Sequence, residues 1–502
     1  MSQTERQEIQ QETRSEIKPD LCVIGAGAGG LAAAAAAAAF GVNVVLIDRG
    51  PVADGDRSGQ HRDAGALASK AFLAAAARAH WVRPNVLHQG VLHQALLRDG
   101  DDDAGFAVNY PAVRDYVRDV VAAAAPETSL DRINGLGVRV LQGECRFTDP
   151  HTVAVNGYDV RARRFIIATG SAPALPDIPG LADVPYFTTG TVFDLKVCPR
   201  HLIVIGAQPI GLELAQAFAR FGAAVTVLEA ATPLHGVDTE CAAIVLDALA
   251  REGIAVRAGV EITCVRGEGD GIAADIAVDG GNATIEGSHI LVATGRRPNV
   301  EALGLDAAGI RHDPSGITVD RGLRTSNRHV YAIGEVAGAA ALTHLARHQA
   351  GLVVRNALFR TPVTNDSNAV PSVICTDPEL AQVGHTEDGA RAAVGRIRVL
   401  RSAYGENDRA RASGTTTGHV KIVTNRKGAI LGATIVGAGA AEAIVAWTLA
   451  ISQRLNIEAM AGVIVPYPAY AEVGKRAAMT YFTRGLTSPL VRRIIVWLRR
   501  FG

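Results

Sequence analysis

Twice in this chain a short apolar run meets a glycine-rich turn, continues into a helix-forming stretch and returns as a second apolar run that ends on a carboxylate. The first unit runs through residues 20–25 (DLCVIG), the turn Gly25-Ala26-Gly27-Ala28-Gly29-Gly30, an alanine-rich stretch at 31–40, a second apolar run at 42–47, and Asp48. The second runs through residues 201–206 (HLIVIG), the turn Gly206-Ala207-Gln208-Pro209-Ile210-Gly211, a stretch at 212–221, a run at 224–228, and Glu229. The acid follows the first glycine at the same spacing in both, 48 − 25 = 23 and 229 − 206 = 23. Such a unit admits few folds. The short runs read as buried parallel strands, and the stretch between them reads as a crossover helix packed on their sheet. Gly25 and Gly206 suit the tight turn, Gly27 lets backbone approach a pyrophosphate, and Gly30 and Gly211 let the helix lie close to the strand. The helix N-terminus offers unpaired N–H groups to a diphosphate, and Asp48 and Glu229 lie where an acid holds ribose hydroxyls. One slot departs. Gln208 stands where the second glycine belongs, so the second unit binds its nucleotide more weakly, binds it in a shifted position, or has lost it.

Two further runs, residues 165–170 (FIIATG) and 290–295 (ILVATG), end in the same Ala-Thr-Gly, and VYAIGE at 330–335 puts Gly334 and Glu335 at another strand end. Ligands of open α/β sheets bind at such carboxyl ends. From about residue 365 the pattern changes: alternation at 419–424 and 429–436 predicts antiparallel strands, and residues 440–454 a helix. The expected fold class is therefore α/β, with two Rossmann-like dinucleotide-binding domains followed by an α+β domain. Fifty Lys and Arg balance fifty Asp and Glu over 502 residues, which argues against nucleic acid as a partner. Residues 1–18 are polar and read as a disordered tail. The apolar stretch at 31–40 is too short to span a bilayer, and a cytoplasmic location is expected. The six cysteines (Cys22, Cys145, Cys198, Cys241, Cys264, Cys375) contain no close pair, which excludes a C-x-x-C motif and a thiolate zinc site built on one.

In this order the motifs resemble those of the pyridine nucleotide–disulfide oxidoreductases, the flavoprotein family of dihydrolipoamide dehydrogenase and mercuric reductase. The segments APETSLDRINGLGV (125–138), LTHLARHQAGLVVRNALF (342–359) and LTSPLVRR (486–493) point to the mercuric-reductase-like members. The resemblance implies FAD on residues 19–180 and 300–360, a nicotinamide nucleotide on 181–299, and a dimerisation domain at 361–485 that makes a homodimer. It implies that Gly25, Gly27, Gly30 and Asp48 hold the ADP half of FAD, with Thr169 and Gly170 beside it. Gly334-Glu335 matches the family's Gly-Asp, whose carboxylate holds the ribityl chain. Leu342, Thr343 and His344 match residues beside the isoalloxazine ring. Lys70 matches the lysine at flavin N5, and Glu213 its ion-pair partner. Gly206, Gly211, Glu229, Val260 and Gly295 fall on the nicotinamide nucleotide, and a carboxylate at 229 implies NADH rather than NADPH, because it would repel a 2′-phosphate.

The family's redox-active cysteine pair is missing. Its segment corresponds to residues 58–70 (SGQHRDAGALASK), where His61 and Ala66 replace the two cysteines. A disulfide needs two sulfurs about 2 Å apart, so dithiol turnover at this site is excluded. His61 is either a proton donor to an acceptor or a structural histidine. In the C-terminal segment Tyr467 takes the family's histidine slot and Glu472 is kept; Tyr467 either donates a hydrogen bond to a developing anion or packs an interface. The expected activity is hydride transfer from NADH to FAD and then directly to a small-molecule acceptor: a quinone, a second nucleotide, a metal ion or O₂. The alternative is a catalytically lapsed flavin-binding sensor or scaffold. Residues 486–502 read as a basic amphipathic helix that either lies on an anionic membrane or packs on its own protein.

Overall fold

The computed structural model describes residues 14–50, 64–81, 108–278, 280–486 and 489–501. Two five-stranded parallel sheets form its centre. The first has the order Val330–Ala332, Arg164–Ile167, Leu21–Ile24, Val44–Asp48, Arg139–Gln142. The second has the order Tyr186–Thr188, His289–Val292, His201–Ile205, Ala224–Glu229, Ala255–Ala258. The two sheets repeat each other strand for strand, except that the edge strand comes from late sequence in the first and from early sequence in the second. The inner strands are buried throughout, as in Leu21–Ile24. Both faces of such a sheet are covered, which is why these runs are continuously apolar rather than alternating.

Helices cover one face of each sheet. On the first, Ala28–Ala38 lies against Thr343–Phe359 so closely that a Cβ on Gly29 would stand 3.3 Å from that of Ala346. Small antiparallel meanders cover the other face. Val153, Val155 and Val160 pack on Cys22, Ile24 and Phe165 of the first sheet, and Val265, Ile272 and Ile276 on Ile203, Ile205 and Ile290 of the second.

One expectation is corrected here. Ser15–Ile17, assigned to a disordered tail, forms a short strand paired in parallel with Tyr158–Val160. An edge strand needs only backbone hydrogen bonds, so polar side chains do not exclude it; Arg14 adds an ion pair to Asp159.

The C-terminal region is a five-stranded antiparallel sheet, ordered Ser372–Ile374, Leu380–Gly384, Ile430–Val436, His419–Asn425, Ile397–Ala403. Helices Ala440–Ser452 and Glu472–Leu486 pack on it through Ile444, Trp447, Val473 and Ala477. A charge cluster with a buried centre joins this sheet to the loop and helix after Glu229. The Lys421 ammonium, almost fully enclosed, lies 2.9 Å from Asp238, 3.0 Å from Glu240 and 2.9 Å from Glu387. Arg401 binds Glu240 through two nitrogens. A final helix, Pro489–Leu498, follows. No helix of the described residues is long and apolar enough to cross a membrane.

Candidate active site

The two glycine turns are sterically closed on one side and open on the other. Gly25 has φ +102°, and a Cβ there would meet the Ala168 carbonyl oxygen at 2.4 Å; one on Gly30 would meet the Gly25 oxygen at 1.8 Å. These two positions bring the helix down onto the strand, and no other residue fits. Gly206 and Gly211 repeat the arrangement against Ala293 and Gly206, at 2.5 and 2.2 Å. A Cβ on Gly27 would meet nothing within 4 Å. Its bareness therefore leaves room in front of the Ala28–Ala38 helix, whose N-terminus has no side-chain cap. That is the arrangement a diphosphate needs.

In the second turn Gln208 fills the place of Gly27. It does not cap the Pro209–Phe221 helix; its amide reaches the Thr232 carbonyl at 3.5 Å. The two acids differ in what holds them. Asp48 accepts the Gly50 N–H at 3.1 Å, whereas Glu229 accepts Ala207 N–H at 2.7 Å and Ala231 N–H at 2.9 Å with separate oxygens. Val260, buried, donates its N–H to the Glu229 carbonyl.

Strand ends of both sheets converge. The chain leaves Thr169-Gly170 and Gly295 directly into Ser171–Pro173 and Arg296–Pro298, which pair with each other. Thr169 is fixed by two bonds to Asn299, each 2.9 Å. Gly334 and Glu335 open a turn after Val330–Ala332, and the Gly334 N–H is held by Gln349 at 2.7 Å. The Glu335 carboxylate binds the Ser171 hydroxyl and the Arg296 guanidinium, so it bridges the two strand ends. Leu342, Thr343 and His344 begin the Thr343–Phe359 helix, and His344 Nε2 donates to the Pro371 carbonyl at 2.9 Å.

Lys70 and Glu213, paired beforehand only through the family resemblance, form an ion pair. Lys70 lies on Ala64–Trp81, and Phe72 of that helix packs against Phe218 and Phe221 with ring centres 5.0 and 4.9 Å apart. This packing sets the Lys70 Nζ–Glu213 Oε2 distance at 2.7 Å, with the carboxylate buried and the lysine half-exposed. Burial works to lower the Lys70 pKa, but the Glu213 carboxylate outweighs it and the net shift is upward, so the ammonium stays charged.

Sequence reasoning missed a third member. The Cys375 N–H donates to the other oxygen of Glu213 at 2.8 Å, and its thiol lies within reach of Lys70. Burial, then the Glu213 charge, push this thiol up, with Lys70 opposing. Nothing local in the sequence links residues 70, 213 and 375; only the packed fold does.

Tyr467 is exposed, and its hydroxyl donates to Asp408 at 3.0 Å, a bond that raises its pKa. Glu472 starts the Glu472–Leu486 helix and accepts the Ala469 N–H at 3.4 Å. His61 lies outside the described residues, as do all of residues 58–63.

Two family models match this chain: that of the pyridine nucleotide-disulphide oxidoreductases over residues 19–350, and that of their dimerisation domain over residues 370–478. The chain is 34% identical to a mercuric reductase of Streptomyces lividans over 470 residues, 92% of this chain and 96% of that protein. It is 32% identical to a dihydrolipoyl dehydrogenase of Geobacillus stearothermophilus over 470 residues, again 92% and 96%.

The chain belongs to the pyridine nucleotide–disulphide oxidoreductase family.

Among solved structures, LpdA of Mycobacterium tuberculosis superimposes with a TM-score of 0.79 at 25% identity, covering 94% of this chain and 100% of that one. Membership makes the protein a flavoprotein oxidoreductase that works with FAD and a nicotinamide nucleotide, and its C-terminal sheet the family's dimerisation domain. The residues present fit FAD: the open face at Gly27 and the uncapped helix beside it accommodate its diphosphate. All six cysteines are free thiols, and none falls between Cys22 and Cys145, the stretch that contains residues 58–70.

Proposed function

We propose that this protein oxidises NADH and passes the electrons directly to a small-molecule acceptor that is not a disulfide: a quinone, a second nicotinamide nucleotide, a metal ion or O₂. One contrast carries the reading. The Lys70–Glu213 pair is kept at 2.7 Å, while residues 58–70 contain no cysteine to relay electrons onward.

When bound, FAD supplies the two-electron step between nicotinamide and acceptor. The chain's own residues bind, orient and hold protons around it. Gly25, Gly27, Gly30 and Asp48 hold the ADP half, and Glu229 faces the ribose of NADH, with Gly206 and Gly211 shaping the turn. Lys70 keeps a fixed positive charge because Glu213 holds it. Tyr467 stays protonated at neutral pH, and its hydroxyl can turn from Asp408 to donate a hydrogen bond to an acceptor that gains negative charge. In the family's dimer this side chain serves the partner's site, so the protein works as a homodimer.

The test is anaerobic addition of NADH to the purified flavoprotein. Loss of the visible flavin absorption is expected, followed by its return on adding menadione, thio-NAD, Hg²⁺ or O₂, with lipoamide inactive. Turnover of lipoamide would overturn the relay-free reading. A flavin that neither NADH nor NADPH bleaches would favour the second reading, a lapsed flavin-binding sensor, for which the side chain at Gln208 is the specific observation.

A further inference from the structure

The end of the chain carries chemistry that the redox site does not use. Residues 473–502 hold seven Lys and Arg and no Asp or Glu, in a chain whose totals are fifty and fifty. Within this stretch the Pro489–Leu498 helix, extended by backbone bonds from Arg499 to Ile495 and from Phe501 to Leu498, carries large apolar side chains in water. Ile494, Ile495, Trp497, Leu498 and Phe501 are between 46% and 73% exposed. At about 100° per residue these five and Val491 fall on an arc roughly 160° wide. Arg492, Arg493, Arg499 and Arg500 fall on the opposite side, with Val496 among them. The helix is therefore sorted into an apolar face and a cationic face, and neither is buried among the described residues.

We propose that this helix docks the protein on an anionic lipid surface. Ten helical residues span about 15 Å, half of a bilayer's ~30 Å hydrocarbon core, so the helix lies in the interface plane rather than across it. Its apolar arc enters the acyl boundary while the arginines stay at the headgroups, and Trp497 sits at the edge of the arc, where aromatic rings favour the interface. Charge decides the occupant. A second copy packed apolar face to apolar face would leave the four arginines pointing away from the contact without counter-charge, whereas an anionic leaflet takes up the apolar arc and neutralises the arginines together. The helix also lies beyond residue 478, where the match to the dimerisation domain ends. The docking is independent of which acceptor the redox site uses.

The test is co-sedimentation of the full-length holoprotein with phosphatidylcholine vesicles, with and without phosphatidylglycerol. Pelleting is expected with phosphatidylglycerol and not without it, weakened by salt and accompanied by a blue shift of tryptophan emission in a Trp81→Phe background, where the buried Trp447 gives a constant contribution and Trp497 the change. The paired change Arg492→Glu and Arg493→Glu should weaken binding roughly tenfold or more. A chain ending at residue 486 should stay in the supernatant with its flavin absorption and dimeric mass intact. Ile495→Ser provides a second, milder variant should the charge reversals disturb folding. Equal pelleting of the shortened chain, or no pelleting of the full chain, would overturn the proposal. Conversion of the shortened chain to monomer would also overturn it and would assign the helix to the subunit interface.

Discussion

Glu213 accepts the Cys375 backbone N–H at 2.8 Å with the carboxylate oxygen that Lys70 does not use. The contact belongs to a row. Glu213, Gln216 and Arg220 share one face of the Pro209–Phe221 helix. Gln216 exchanges two bonds with the Asp377 backbone, 2.8 and 2.9 Å, and Arg220 reaches the Asp377 carboxylate at 3.0 Å. The helix that begins at the second glycine turn thus pins the segment that enters the dimerisation domain, and the Lys70 charge sits at the end of that row.

Glu213→Gln keeps the shape of the side chain and one acceptor for Cys375 but removes the charge beside Lys70. The rate of flavin bleaching by NADH, followed by stopped flow, is expected to fall roughly 10- to 100-fold. Because Lys70 is half-exposed and can turn to water, the melting temperature should move little. Lys70→Met should slow the same step, whereas Cys375→Ser, which preserves the backbone bond, should leave it within a few-fold of the parent. A Cys375→Ser protein as slow as Lys70→Met would show that the thiol itself takes part.

Gly27→Ala and Gly30→Ala separate ligand binding from folding. The Gly30 methyl group would overlap the Gly25 carbonyl oxygen, so that variant should lose about 3 kcal/mol or more, or fail to fold. The Gly27 methyl group meets no atom of the described residues within 4 Å. That variant should fold with a nearly unchanged apoprotein melting temperature and purify with much less FAD, read from the ratio of flavin to protein absorption.

Glu229 sets the choice between nicotinamide nucleotides if its carboxylate faces the ribose. The KM for NADH should lie well below that for NADPH, and Glu229→Ala should raise the NADH value roughly tenfold, in line with loss of a charged hydrogen bond. Because Glu229 also accepts the Ala207 and Ala231 N–H groups, a small loss of stability should accompany the change. Equal KM values for the two nucleotides in the parent protein would sink this assignment.

The Lys421 cluster makes a pH-dependent joint. Hydrogen bonds from Arg401, and then from Lys421, lower the Glu240 pKa from 4.5 to about 2 against the effect of burial. A carboxylate depressed in the folded state stabilises it fully above its unfolded pKa and loses that contribution as pH falls. The loss should therefore run from about pH 4.5 down to about pH 2. Its slope is moderated because 42% of the Glu240 side chain remains in water. Arg401→Met should lower the melting temperature at pH 7 and flatten its decline over this acid range, which a series of thermal melts would reveal.

The sequence exposed the parts of this fold that are written locally. The glycine turns, their trailing acids and the paired Ala-Thr-Gly strand ends are short patterns with fixed spacing, and the structure places each at the carboxyl end of a parallel sheet. Lys70 and Glu213 were paired only through resemblance, because the aromatic packing of Phe72 on Phe218 that brings them together has no local signature. Cys375 and the Gln216–Asp377 bonds were invisible for the same reason. Glu335 was expected to face a flavin side chain. Its bonds to Ser171 and Arg296 arise where strand ends of two different sheets cross, which no single motif encodes. Ser15–Ile17 was missed because edge pairing makes so little demand on side chains.

The edge strand Val330–Ala332 completes the first sheet only after every strand of the second has been made. During synthesis the second sheet can close as a continuous piece of chain, while the first waits with its Arg164–Ile167 edge unpaired. The second sheet can therefore fold before the first is finished. For that interval the unfinished sheet presents an apolar edge, open to wrong pairing. With FAD held by the first sheet as proposed, mutations that delay Val330–Ala332 should be felt as lost yield of flavoprotein rather than as a changed reaction.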